Sequence, residues 1–203
     1  MYAEVLKKYL DDLASTKPAP GGGSAAALTG AIAVALLAKV ANFTIGKEKY
    51  KRAEEEMKNI LKQSQELVES LNDLCLEDAK AYKKFSDAVK LPKGPKRQEK
   101  LQEALKEATS VPVQVCKDTH QAIKFCLPLA VRGNRNLITD AAIGAMMLEC
   151  AFQSALLNVE INLKSIKDND FVLKIREVLE PMEEEISLIV QEVKTETEKY
   201  LSK

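Results

Sequence analysis

Pro18-Ala19-Pro20-Gly21-Gly22-Gly23-Ser24 runs directly into residues 25 to 40, AAALTGAIAVALLAKV, where Thr29 and Lys39 are the only polar side chains. A segment that apolar is buried on nearly every side and predicts a central helix, from about Ala25 to Phe43. Three consecutive glycines cost backbone entropy, so a chain that carries them beside two prolines needs either positive φ or close backbone approach at that point. Ser24 stands where a helix N-cap belongs. A glycine turn feeding a helix N-terminus offers unpaired N–H groups and the positive end of the dipole to an anion; the plainer reading is a capped turn that lets a small-residue helix pack closely. No Lys-Ser/Thr pair follows the glycines and no strand pattern precedes them, so the stretch is not a P-loop.

Working outward, the remaining chain is helical in pattern. Residues 2 to 14 place Val5, Leu6, Tyr9, Leu10 and Leu13 on one face. From Lys47, a stripe through Met57, Leu61, Ser64, Leu67, Leu71, Leu74, Cys75, Asp78, Tyr82, Phe85 and Val89 predicts one helix of about forty residues. Leu91-Pro92-Lys93-Gly94-Pro95 ends it, in a basic loop with Lys90, Lys96 and Arg97. A further helix covers about Arg97 to Leu127, with Pro112 expected to kink it or to mark a new start. Arg132 to Asn136 is a turn in which Gly and Asn tolerate positive φ, and Thr139 or Asp140 can cap the next helix, to about Ile166. That helix is nearly as apolar all round as the one after the glycines, and Gly144 matches Gly30 as a small packing residue. Its few polar side chains stand out, among them Asn158 and Asn162 on one face. The last helix runs from Asp168 to about Lys203, with Pro181 as a kink or break. The expectation is an all-α bundle of about six helices in one domain over residues 1–203, two helices being apolar all round and central. Two such helices are more than one monomer needs, which predicts a homodimer.

Thirty basic and thirty acidic residues cancel in this 203-residue chain, which argues against a general nucleic-acid binder. Cys75, Cys116, Cys126 and Cys150 have no metal-site spacing and read as buried free thiols in a reducing compartment. His120 is the single histidine, so no metal site is expected, and it reads as a structural or surface histidine. The start of the chain lacks the basic, apolar signature of a signal peptide, and residues 25 to 40 are short and alanine-rich for a membrane span, so the expected setting is cytoplasmic, with no membrane partner.

Two members of the long stripe, Ser64 and Asp78, are wrong for a core. A carboxylate flanked by Leu74, Cys75 and Tyr82 loses hydration unless paired or protonated, which raises its pKa toward the range of a general acid; the alternative is an Asp78 at the stripe's end reaching water or a lysine.

The chain resembles the cyclodeaminase/cyclohydrolase family of folate enzymes, related to the C-terminal half of formiminotransferase-cyclodeaminase. The resemblance rests on residues 18 to 24, Thr44 to Lys47 with Tyr50, Asp78 to Tyr82, Leu91 to Lys93, Ser110 to Pro112, Gly133 to Asn136 with Asp140, and Asn158 to Leu163, all in the same order. It implies an all-helical dimer acting on tetrahydrofolate one-carbon units, with no cofactor beyond the tetrahydrofolate substrate, whose glutamate tail is one or several residues long. It implies Asp78 as the acid/base residue. Gly21, Gly22, Gly23 and Ser24 are implied to hold a folate carboxylate or to shape the pocket wall, and Lys47, Tyr82, Asn134, Asn136 and Asp140 to bind or orient substrate. The implied reaction closes 5-formiminotetrahydrofolate to 5,10-methenyltetrahydrofolate with loss of ammonia. The alternatives are methenyltetrahydrofolate cyclohydrolase and a non-catalytic folate-binding or structural dimer.

Overall fold

The computed structural model describes residues 2–202, so Met1, and Lys203 at the end of the expected last helix, lie outside the described residues. Seven α-helices form among them: α1 (Tyr2–Leu13), α2 (Gly22–Asn42), α3 (Glu54–Val89), α4 (Pro95–Ile123), α5 (Cys126–Arg132), α6 (Ile138–Leu163) and α7 (Asn169–Leu201). Short 3-10 turns, Glu48–Ala53 and Arg135–Leu137, lead into α3 and α6. No strand occurs among the described residues.

The glycine-led helix is central, as its composition dictates. α2 packs chiefly on α3 and α6, while α4 covers α3 and α6 from the other side and α7 closes over α6. Val34, Leu37 and Val40 of α2 and Leu148, Phe152 and Val159 of α6 are fully buried. Gly144 is required by that contact, because a methyl group there would lie 2.6 Å from Leu37 Cδ2. By length and hydropathy alone α2 and α6 could each cross a membrane. In the bundle, about half of each apolar stretch is buried, against α3, α4 and each other.

Four local expectations are corrected. Pro112 does not break its helix: α4 runs through it, Pro112 being buried between Val111 and Val113, so tertiary packing outweighs the lost N–H. Pro181 likewise sits inside a continuous α7. α6 starts at Ile138, ahead of Thr139 and Asp140, with no side-chain cap of its own; Asn134 caps the 3-10 turn before it instead, accepting from the Asn136 N–H at 3.2 Å. Of the four thiols, all free, Cys116 and Cys126 are buried but Cys150 is exposed on α6.

Apolar surface remains on two faces. On α1, Val5, Leu6 and Leu10 are at least half exposed, so this part of its stripe is left unpacked among the described residues, while Tyr9 and Leu13 are partly buried. On the central pair, Ile32 of α2 and Ile143, Met146 and Leu157 of α6 face outward.

Candidate active site

The expected N-cap Ser24 lies inside the first turn of α2, which begins at Gly22 after an extended Gly21 (φ −132°, ψ −160°). A glycine offers no side chain to cap a helix, so the orphan donors of this turn need an acceptor from elsewhere. Asp78 of α3 provides it: the buried Ser24 N–H donates to Asp78 Oδ2 at 3.1 Å. The Ser24 hydroxyl is turned away, 2.9 Å from Cys75 Sγ and 3.2 Å from the Tyr9 hydroxyl, its link to α1.

The three glycines differ in what they do. None has positive φ, the described glycines that do being Gly46 and Gly94. A side chain at Gly23 would overlap Asp78 Oδ1, with Asp78 Cγ only 2.7 Å away. At Gly22 the nearest neighbour would be Asn158 Oδ1 at 3.6 Å, an ordinary contact, and Gly21 faces open space. Close approach, at Gly23 above all, is therefore the reason for the glycines.

Three helices continue past the start of α2 and leave a hollow above it. The cleft, about 320 Å³, has Pro18, Gly21, Gly22 and Gly23 as its floor. Its walls are Asp78, Ala81, Tyr82 and Phe85 from α3, Leu105, Ala108 and Pro112 from α4, and Asn158 and Asn162 from α6. Apolar, partly aromatic walls with a few convergent polar groups suit a flat organic ligand. Asp78 forms no ion pair among the described residues, and half-burial pushes its carboxyl above the ordinary aspartate value; the Ser24 N–H offsets that only in part. An acid of this kind can hold its proton nearer neutrality and deliver it to a bound group.

Of the residues singled out in the sequence, Gly21, Gly22, Gly23, Asp78 and Tyr82 meet in this cleft, with Ser24 directly behind it. Lys47, Asn134, Asn136 and Asp140 do not. Asp140 pairs with Lys39 at 2.8 Å, seventeen residues along α2 from Gly22, which at 1.5 Å per residue is about 25 Å away. There Asn134 is buried and its groups are taken up locally: its N–H donates to Thr44 Oγ1 at 2.9 Å and its Nδ2 to the Phe43 carbonyl at 3.0 Å. The Tyr50 hydroxyl accepts from the Arg135 N–H at 3.1 Å, and the exposed Lys47 lies over the Phe43 ring. Four of the expected site residues thus belong to the opposite end of the chain's own bundle.

The sequence reading assigned no site role to Asn158 and Asn162, although two amides one turn apart on an apolar helix were the signal that could have done so. His120 lies away from the cleft, its Nε2 2.6 Å from Glu185 Oε2, where it joins α4 to α7.

Comparison with known proteins follows the same outline. The sequence model of the formiminotransferase-cyclodeaminase family matches residues 5–181. The chain is 38% identical to the methenyltetrahydrofolate cyclohydrolase of Methylorubrum extorquens over 173 residues, 83% of each chain. It is 31% identical to the formimidoyltransferase-cyclodeaminase of Rattus norvegicus over 94% of its own length and 35% of that protein, and so spans about a third of it. The crystal structure of formiminotetrahydrofolate cyclodeaminase from Thermotoga maritima superposes with a TM-score of 0.91 at 38% identity, covering 97% of this chain and 96% of that one.

Proposed function

The chain belongs to the formiminotransferase-cyclodeaminase family of folate one-carbon enzymes, and from that premise we propose that it closes 5-formiminotetrahydrofolate to 5,10-methenyltetrahydrofolate with release of ammonia, Asp78 giving the proton. N10 attacks the formimino carbon, and its proton passes to the former imine nitrogen, giving a tetrahedral centre that carries an amino group. Asp78 protonates that group, the carbon–nitrogen bond breaks, and ammonia leaves. The cationic methenyl product then faces the new Asp78 carboxylate, so charge balances inside the cleft.

The observation that carries this reading is a half-buried Asp78 whose pKa is raised and which has no cation beside it. A raised pKa favours the protonated form, which is the one amine departure requires. The observation favouring cyclohydrolase is the 38% identity to the Methylorubrum extorquens cyclohydrolase, a protein of similar length. In that reaction the Asp78 carboxylate takes a proton from water as it adds to the methenyl carbon and gives it to N5 as the carbon–N5 bond breaks, while the hydroxyl proton leaves to solvent and the formyl group stays on N10. The two are separated by following methenyl absorbance with each substrate. Absorbance that appears with ammonia means deamination, and enzyme-dependent loss of methenyl absorbance alone means hydrolysis. Silence in both cuvettes leaves a folate-binding or structural protein.

The proposal includes a homodimer that buries the outward apolar residues Ile32, Ile143, Met146 and Leu157. A twofold axis near the middle of α2 runs the two copies of that helix antiparallel. The Lys47, Asn136 and Asp140 end of one copy then lies beside the Asp78 cleft of its partner, the one route by which those residues reach the chemistry. Mixing inactive Asp78→Asn with inactive Lys47→Ala protein tests this: hybrid dimers regain part of the wild-type rate, and a mixture that stays inactive rules the shared site out.

A further inference from the structure

Asn158 has no assigned task in the reaction above, yet its geometry is the most constrained of the cleft's neutral polar groups. Its Nδ2 donates to the Ser154 carbonyl one turn back on α6, at 2.7 Å. That bond uses the nitrogen as a donor to the helix backbone and leaves Oδ1 as an acceptor. The amide lies beside Gly22, where an added Cβ would be 3.6 Å from Oδ1 and 3.7 Å from Nδ2, while Asp78 Oδ1 lies against Gly23. Adjacent Cα atoms are about 3.8 Å apart, so two oxygens from two different helices flank one short piece of backbone. Asn162, one turn further along α6, also lines the cleft; its backbone carbonyl accepts from the Ser165 N–H at 3.0 Å, while its side chain makes no hydrogen bond among the described residues.

From this we infer that Asn158 is a second catalytic residue, whose Oδ1 accepts a hydrogen bond from the N–H or O–H on the reacting one-carbon centre and holds that group facing Asp78. The inference rests on reading the cleft as the folate one-carbon site. The formimino nitrogen and a water both present a hydrogen to such an acceptor. A neutral amide is suited to this place, because a cation there would repel the methenyl product and a fixed carboxylate would compete with Asp78 for the proton. The Ser154 bond fixes the amide before substrate arrives, so no reorientation is needed at the moment of reaction.

The test compares wild-type protein, Asn158→Leu and Asn158→Asp with 5-formiminotetrahydrofolate and with methenyltetrahydrofolate, after thermal melting to confirm folding. Asn158→Leu keeps the volume and removes the acceptor; kcat should fall roughly 100-fold on the active substrate, with KM within a few-fold. Asn158→Asp keeps an oxygen there but adds a charge. Asp78 and Tyr82 being the titratable groups lining the cleft, its effect should be an upward displacement of the alkaline limb of the kcat profile. A folded Asn158→Leu protein within about three-fold of the wild-type kcat overturns the inference. So does an Asn158→Asp profile that coincides with wild type, which keeps the question answerable if the leucine variant does not fold. Wild-type protein that turns over neither substrate overturns instead the reading on which the inference rests.

Discussion

The two ends of α2 carry polar residues that look equivalent in the sequence and are opposite in kind. At the N-terminal end, Asp78 and Asn158 each keep an oxygen directed at a cleft, and the backbone below them is glycine. At the C-terminal end, Asn134, Thr44 and Tyr50 bond to one another and to neighbouring backbone. The first end leaves hydrogen-bonding capacity for a ligand, whereas the second uses its capacity to join the loop before α6 to the end of α2.

The sharpest way to break this contrast is to exchange the effects of substitution at the two ends. Asp78→Asn should lower kcat by about 10³-fold or more while leaving the chemical denaturation midpoint nearly unchanged, since the amide still accepts from the Ser24 N–H. Asn134→Ala should do the reverse in stability: removing its side chain leaves the Phe43 carbonyl and the Asn136 N–H without their partner, costing about 1–3 kcal/mol in urea unfolding. If Asp78→Asn destabilised as much as Asn134→Ala, Asp78 would be a structural cap like any other.

The glycines sharpen the contrast within one turn. Gly23→Ala pushes a methyl group into Asp78 and should cost most of the activity, whereas Gly22→Ala, with its neighbour at 3.6 Å, should leave at least about a third of it. Comparable losses at both positions would mean that the run is needed for backbone freedom rather than for the carboxylate.

Stability against pH gives a smaller effect of defined sign. Because the folded pKa of Asp78 is raised, the native state holds a proton that the unfolded chain has released. Wild-type protein should therefore lose stability relative to Asp78→Asn as pH climbs from the ordinary aspartate value, about 3.9, through the folded value, and the difference should be constant above it. The smallest effect is expected at the exposed Lys39–Asp140 pair, where Lys39→Ala should change the stability by no more than about 1 kcal/mol.

Much of this architecture was legible in the sequence because composition and period control it. Residues 25 to 40 carry too few polar side chains for a surface helix, and the stripe from Met57 to Val89 has the period of a long amphipathic one. Asp78 was legible for the same reason, as a carboxylate on the wrong face. What escaped were features that depend on contacts between distant elements. Ser24 had the right chemistry for a cap, but the cap comes from a carboxylate fifty-four residues away. Pro112 had the right chemistry for a break, but its neighbours bury the helix through it. Nothing local reveals that α2 separates Asn134 and Asp140 from the Asp78 of the same chain by its own length. Asn158 and Asn162 were visible as oddities; only the overshoot of α6 past the glycines makes them walls of the same cleft.

The central claim is that Asp78, held at the glycine start of α2, keeps its proton to a higher pH than an ordinary aspartate. Carbon-13 NMR titration of the side-chain carboxyl, assigned by its disappearance in Asp78→Asn, measures this directly. The account predicts a midpoint clearly above about 3.9; a midpoint at or below that value would contradict it.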